Sequence, residues 1–500
     1  MKKPSALVVG SGVSGLTAAL LLAAHDYRVR LVEQSPRIGG ALRRFRRGGV
    51  AFDTGFHFAG GLDDGGLLHR MLAALELADA VQPRFLAEDC SFRFVFESAG
   101  RAFDLPRGIA GWRETLARAF PKERSAVEGY FERVARVCAN TPGMDLVSLG
   151  APRRPLDEDY VTLARVLEDL TDDRLLRGVL CGLCMCHGVR PSEVSFATHS
   201  RVCYDLHRCA AQLEGGGDAL IDAFAGRLRA LNVEILRGRR LAACEGIEGD
   251  RVRRFVLDDG TALEADAAVL TIHPRAVLDL LPRAHLSRAF AQRVESFEDT
   301  AGFFTAYGVL RRPEPDPATA KTVVSLFPYE DFDRMMAPSA EDARALVLVS
   351  SVEPGANGPA QVVTAFEPAA EDHVAAWRES RIGRRPPGYA DYKAARAESI
   401  RRRIEGYGDG YAGQFDLVES SSMLTFRDYL HSPGGSAYGI KQKPGQYNLI
   451  GRLPLKNVFV AGQSALLPGV AGAMMSAFFV VRPIVGRDRF DRFLRGGGTG

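Results

Sequence analysis

Apolar residues run unbroken through 6–9 (ALVV), yield to glycines at 10, 12 and 15, and resume over 16–25 (LTAALLLAAH). A short apolar run bounded by glycine reads as a buried strand, and the longer run reads as a helix. Residues 458–479 (VFVAGQSALLPGVAGAMMSAFF) repeat that order near the other end of the chain. Residues 27–35 (YRVRLVEQS) predict a second strand ending at Glu33. From 215 to 273 the pattern predicts a glycine turn, a helix, and strands near 233–236, 240–246, 251–257 and 262–271. Asp258, Asp259 and Gly260 mark a hairpin turn, so these strands read as a small antiparallel meander returning to a main sheet. Residues 111–140 are helical in pattern and broken at Pro121, and 175–189 read as an apolar helix. Strand-like runs at 323–332 and 345–353 precede a helical pattern at 368–380. The fold class is α/β.

Composition changes little in that picture. With 46% hydrophobic and 25% charged residues the chain is globular, and 500 residues suffice for two or three packed domains. The 64 basic and 61 acidic residues nearly cancel, which excludes a nucleic-acid footprint spread over the surface. Eight cysteines in a chain of this size need no disulfide framework, so a reducing cytoplasm is the natural setting. Cys181, Cys184, Cys186 and His187 hint at a soft metal site. No second cysteine pair completes a tetrahedral set, and the apolar surroundings make these thiols core residues, so no metal is expected. The glycines at 10, 12 and 15 interrupt the N-terminal apolar run where an export signal would be continuous. No stretch reads as a membrane span; a soluble protein is expected, at most touching a membrane surface.

The chemistry begins at the first glycines. Gly10 permits a tight turn, Gly12 lets a pyrophosphate approach bare backbone, and Gly15 lets the helix pack on the strand. Val13 and Ser14 lie in the first turn, whose unpaired N–H groups and dipole face the phosphates. Glu33, 23 residues after Gly10, is placed to accept hydrogen bonds from ribose hydroxyls, with Gln34 beside it. The order strand, glycines, helix, strand, acid therefore predicts an adenosine dinucleotide.

That motif does not separate NAD from FAD. The continuation through Gly39, Gly40, Ala41, Leu42, Arg43 and Arg44 resembles the extended signature of the FAD-dependent amine oxidase and phytoene desaturase superfamily. Many members carry Arg where Ala41 stands, which leaves Arg43 and Arg44 as the nearest guanidiniums. The resemblance implies a Rossmann-like FAD domain of the GR2 type, with a discontinuous α+β substrate domain. FAD binding is assigned to 1–75, 206–299 and 430–490, substrate binding to 76–205 and 300–429, and a flexible tail to 491–500. It further implies that Gly462 and Gln463 meet the ribityl chain, and that Leu241 backbone meets adenine. Gly469, Val470, Ala471 and Met474 would open a helix against the pyrimidine end of the flavin, where charge develops on reduction. No second GxGxxG follows a strand, so no separate nicotinamide domain is expected.

Residues 50–61 (VAFDTGFHFAGG), 424–442 and 462–477 narrow the resemblance to the branch of carotenoid isomerases, carotene desaturases and retinol saturases. It implies a hydrophobic polyene substrate whose C–C or C=C bond is desaturated, saturated or isomerised, with an unidentified electron donor or acceptor. Gly55, Phe56 and His57 would border the flavin; His57 and Tyr438 are the candidate proton-transfer groups. Phe92, Phe94, Phe96, Phe303, Phe304 and Tyr307 either line a lipophilic tunnel or form plain core. An amine oxidase-like or nicotinamide-linked dehydrogenase is the alternative enzyme. A flavin-free lipid-binding protein of the GDP-dissociation-inhibitor type is the alternative outside catalysis, and the intact glycine set speaks against it.

Overall fold

A computed structural model describes residues 3–152, 154–311, 321–356, 358–408, 411–446 and 448–496. Its first sheet orders its strands as Glu234–Arg237, Arg28–Glu33, Ser5–Val9, Ala267–Leu270, Val458–Val460 and Gly451–Arg452. All neighbours are parallel except the last pair. Parallel strands need both faces covered, which explains why residues 6–9 are continuously apolar rather than alternating. The first helix, Val13–Ala24, packs against both this sheet and the last helix, Gly469–Val485. A helix enclosed on all sides gains from being apolar all round, and both helices are.

One hydroxyl ties the two ends of the chain together. Ser476 donates to the Ala473 carbonyl at 2.6 Å, accepts from the Gly462 N–H at 2.7 Å, and meets the Ser14 hydroxyl at 3.1 Å. The first helix, the last helix and the end of the last strand thus share one buried atom. In Ser476→Ala the Gly462 N–H and the Ser14 hydroxyl lose this buried partner, at a cost of about 2 kcal/mol. Denaturant unfolding of the flavin-free protein reads that loss, and an unchanged midpoint would show the network to be energetically idle.

The second large sheet has seven strands, ordered Phe415–Ser421, Gly302–Leu310, Gly358–Ala369, Leu346–Gly355, Val323–Phe327, Phe92–Phe96 and Arg101–Leu105. Only Val323–Phe327 and Phe92–Phe96 run parallel. Helix Tyr389–Tyr407 covers one face through Ala397, Ile400 and Ile404. Helices Ile109–Ala119, Arg124–Ala139 and Phe196–Arg208 pack over the other. The meander Leu241–Glu248, Arg251–Leu257 and Ala262–Leu263 forms its own small sheet.

Several expectations need correction. The proposed domain boundary at 205/206 falls inside helix Phe196–Arg208, whose continuous hydrogen-bond ladder admits no break there. Residues 491–494 close the helix Arg487–Leu494, anchored by buried Phe490, instead of starting a tail; the expected tail residues 497–500 lie outside the described residues. The helix expected over 368–380 begins as the end of strand Gly358–Ala369 and becomes a short 3-10 turn, Glu371–Trp377. The apolar helix expected over 175–189 ends at Cys181 and tightens into 3-10 turns over Gly182–Cys186. The strand expected over 262–271 divides into Ala262–Leu263 and Ala267–Leu270, which serve different sheets. Among the described residues no helix is long and apolar enough to cross a membrane.

Candidate functional site

The glycine cradle closes through contacts that leave one side open. A Cβ on Gly15 would lie 1.9 Å from the Gly10 carbonyl oxygen, so helix and turn touch backbone to backbone. Gly40 packs against Gly12, where its Cβ would meet the Gly12 Cα at 3.0 Å. A Cβ on Gly12 itself would meet nothing within 4 Å. The first turn of the adjoining helix has no intrahelical acceptors for its N–H groups, as Val13 and Ser14 require of any partner. The cradle is therefore built around a space, which fits a phosphate group approaching the backbone.

Glu33 is 8% exposed and is held from the protein side. One carboxylate oxygen accepts from the Ser11 N–H at 2.8 Å and the Ser11 hydroxyl at 2.5 Å; the other accepts from the Ser35 N–H at 2.8 Å. A carboxylate has about four acceptor directions, so roughly one remains for a ribose hydroxyl. Ser11 also accepts from the Gly39 N–H at 3.2 Å through its side chain. Sequence reasoning passed over Ser11, although its place inside the glycine motif next to Glu33 is the signal. Leu241 begins its strand beside this corner, because the Arg239 N–H donates to the Glu33 carbonyl at 3.0 Å. Gln34 and Ala41 are exposed, Leu42 is buried, and Ala41 approaches Gly55.

The two neighbouring arginines part company. Arg43 donates to the Gly40 carbonyl at 3.0 Å and the Tyr429 carbonyl at 2.9 Å, which keeps it at the cradle. Arg44 is 6% exposed, with its guanidinium between Asp53 at 3.2 Å and Glu353 at 2.8 Å. Two carboxylates already neutralise it, so its assignment to the cofactor is corrected: it joins the two halves of the protein.

The last helix opens beside the first. Gly462, Gln463, Gly469, Val470 and Ala471 are all partly exposed, and a Cβ on Gly469 would meet nothing within 4 Å. Met474 is completely buried among core residues, so it is corrected as a site residue; Met475, one position on, faces the cavity.

That cavity, about 1160 Å³ with its open mouth, lies where the sheets meet. Residues 467–472, at the opening of the last helix, and 55–60 form one side, and Phe92, Phe94, Val347 and Phe366 form an apolar floor. Phe56, 2% exposed, contributes to that side. Of the six aromatics proposed for a tunnel, only Phe92 and Phe94 line it. Phe303 supports the wall from behind, and Phe96, Phe304 and Tyr307 are buried core. His57 stacks on Phe366 at 5.3 Å, Phe366 packs on Phe303 at 5.3 Å, and Phe303 on Tyr438 at 6.3 Å. Tyr438 leans on Gly188, where a Cβ would come within 2.8 Å of its ring. Phe366 and Gly188 come from distant stretches and carry no local signal.

His57 and Tyr438 bring polar atoms to this wall with no hydrogen-bond partner among the described residues. Burial pushes the His57 pKa down to about 4, so the imidazole is neutral at pH 7. Burial also raises the Tyr438 phenol well above its ordinary value, so it keeps its proton.

Behind the wall, Cys184, His187 and His199 bring a thiol and two imidazoles within 4.8 Å of one another. Their hydrogen bonds run in one direction. The Val189 N–H donates to His187 Nδ1 at 3.3 Å, which puts the proton of His187 on Nε2, facing His199 Nδ1 at 3.1 Å. His199 Nε2 then faces the Tyr130 hydroxyl at 2.8 Å. In this order His187 offers no lone pair to a cation, and the cluster reads as a satisfied polar network inside the core.

Comparison with known proteins follows the same lines. The family model described as flavin containing amine oxidoreductase matches residues 13–370. The human all-trans-retinol 13,14-reductase is 22% identical over 541 residues, spanning 98% of this chain and 87% of that protein. Prolycopene isomerase 2, chloroplastic, of an Oncidium hybrid cultivar is 28% identical over 155 residues, 29% of this chain and 25% of that one. An oxidoreductase from Methanosarcina mazei shares the fold, with a TM-score of 0.65 at 15% identity over 95% of this chain and 98% of that one. The open cradle, the acid at the second strand end and the match over most of the chain agree. The chain belongs to the flavin containing amine oxidoreductase family, and it is a FAD-dependent oxidoreductase.

Proposed function

We propose that this protein saturates, desaturates or isomerises a C–C or C=C unit of an elongated apolar polyene. The observation that carries the reading is the aromatic-floored cavity meeting the open end of the last helix, with His57 and Tyr438 as unpartnered polar groups on its wall. Extended similarity to a retinol reductase, and partial similarity to a prolycopene isomerase, support the substrate class.

The residues present suit FAD. Gly10, Gly12, Val13, Ser14 and Gly15 would hold the pyrophosphate, Glu33 the ribose, and Leu241 backbone the adenine. Gly39, Gly40, Ala41, Leu42, Arg43 and Gly55 would border its middle. Gly462 and Gln463 would take the ribityl chain, and Gly469, Val470 and Ala471 the pyrimidine end. When bound, FAD supplies hydride exchange at N5. The chain's own work is to exclude water with the Phe92, Phe94 and Phe366 floor and to hold the apolar substrate extended. Tyr438, protonated at every physiological pH, is the group that gives a proton to the carbon beside the reacting one. His57, neutral there, orients the substrate or accepts a proton in the reverse direction. The electron partner is a separate donor or acceptor, and contact with a membrane surface would deliver so apolar a substrate.

Mass analysis after incubating all-trans-retinol or a carotene with the anaerobically reduced enzyme, and separately with the oxidised enzyme, tests this, the first able to add two hydrogens and the second to remove them. A gain or loss of two hydrogens, or equal mass with altered geometry, is expected. Turnover of amines alone would overturn it. In Tyr438→Phe the rate of the saturating step falls by about 10²–10⁴ while flavin content stays constant. An unchanged rate would remove Tyr438 from the chemistry.

A further inference from the structure

Ser325 is the one strand residue of the cavity floor with a hydroxyl. In the seven-stranded sheet it lies between Phe94 on one neighbouring strand and Val347 on the other, with Phe366 next in the same row. All four side chains face the cavity. Ser325 is 3% exposed, and its hydroxyl has no hydrogen-bond partner among the described residues. The charged groups lining the cavity, Arg201 and Asp205, are already engaged. Arg201 donates to Asp159 at 2.6 Å and to Thr141 at 2.9 Å, and Asp205 accepts from Arg208 at 2.9 Å.

A hydroxyl set in an aromatic floor with nothing to bond is costly unless the ligand completes it. We infer that Ser325 receives an oxygen of the substrate, so that this site selects polyenes bearing a hydroxyl or carbonyl over polyenes that are pure hydrocarbon. The inference rests on the polyene reading above and narrows it. Ser325 and Phe366, on which His57 stacks, are two strand spacings apart, about 10 Å across the sheet. A substrate bonded to Ser325 and touching His57 must therefore lie extended along the floor. Discrimination follows from the unpaired group: a site built to hydrogen-bond an oxygen penalises the analogue that lacks it, whereas an apolar wall barely distinguishes the two.

The test uses the FAD-loaded protein, all-trans-retinol, and the hydrocarbon of the same skeleton with hydrogen in place of the hydroxyl. Binding is followed by perturbation of the flavin spectrum, without turnover. The wild type binds the alcohol about tenfold more tightly than the hydrocarbon. Ser325→Ala loses that preference, mainly by weakening the alcohol, and Ser325→Thr keeps it. Circular dichroism and flavin content establish that each variant is folded and loaded. Equal affinities in the wild type, or a preference that survives in Ser325→Ala, overturns the role of Ser325 alone. Binding of neither compound to a loaded wild type overturns the polyene reading, and this inference with it.

Discussion

Gly12→Val purifies as a folded, colourless protein. The Gly12 backbone, at φ −62° and ψ 172°, is a conformation open to any L-residue, and its Cβ position meets nothing within 4 Å. The protein alone therefore loses only about 1 kcal/mol at the helix N-cap. The added side chain instead fills the space through which a pyrophosphate reaches the N–H groups of the first turn, so flavin binding is lost. Gly15→Ala behaves in the opposite way. Its methyl group would sit 1.9 Å from the Gly10 carbonyl oxygen, and helix and turn must separate, at a cost of about 3 kcal/mol before any cofactor is considered. Both variants are compared with wild type in the flavin-free state, because bound FAD adds stability of its own by mass action. Visible absorbance reports occupancy and a melting curve reports folding. Retention of flavin by Gly12→Val would sink the assignment of this cradle.

Acidification unfolds the protein by drawing protons onto imidazoles that are buried neutral in the native state. Burial holds His199 and His207 down at about 3 and lowers His187 as well, against 6.5 in the unfolded chain. The folded values are depressed, so below pH 6.5 the unfolded state binds more protons and stability falls with pH. The contribution is whole above about pH 6.5 and is lost on the way down towards pH 3. By pH 5 His199 and His207 have each cost about 2 kcal/mol, or about 4 kcal/mol together, with His187 acting in the same sense, against a typical total of about 5–15 kcal/mol. His57, at about 4, acts in the same sense. Asp53, pushed up to about 6 by burial, acts in the opposite sense and offsets about 1 kcal/mol. Trp112 packs edge-on against His207 at 4.6 Å, so its fluorescence reports the transition. Cooperative unfolding between pH 5 and 4 is expected, and a native signal persisting to pH 4 would show that these imidazoles titrate in place. His207→Phe moves the midpoint to lower pH.

The limits of the sequence show best in adjacent residues. Arg43 and Arg44 are indistinguishable in composition, yet one remains at the cradle and the other is buried between Asp53 and Glu353. Arg44 opens a strand, and its partner Glu353 lies more than 300 residues away, so nothing local marks the choice. Met474 and Met475 differ by about 100° of helix rotation. A boundary error of one residue is enough to exchange core for cavity. Phe92, Phe94 and Phe96 lie on one face of their strand by period two, but the cavity ends before Phe96, where Phe103 and Phe327 cover the ring.

Residue order alone determined the cofactor end: strand, glycine turn, helix and Glu33 were legible because each answers to backbone constraints within a few positions. It also determined that the C-terminal stretch repeats the arrangement. Only the tertiary structure decided that Ser476 joins the two, that Glu33 is shared with Ser11, and that Phe94, Ser325, Val347 and Phe366 form one floor. Those residues come from four strands and meet through sheet register, and register is set by long-range burial that no short window of sequence contains.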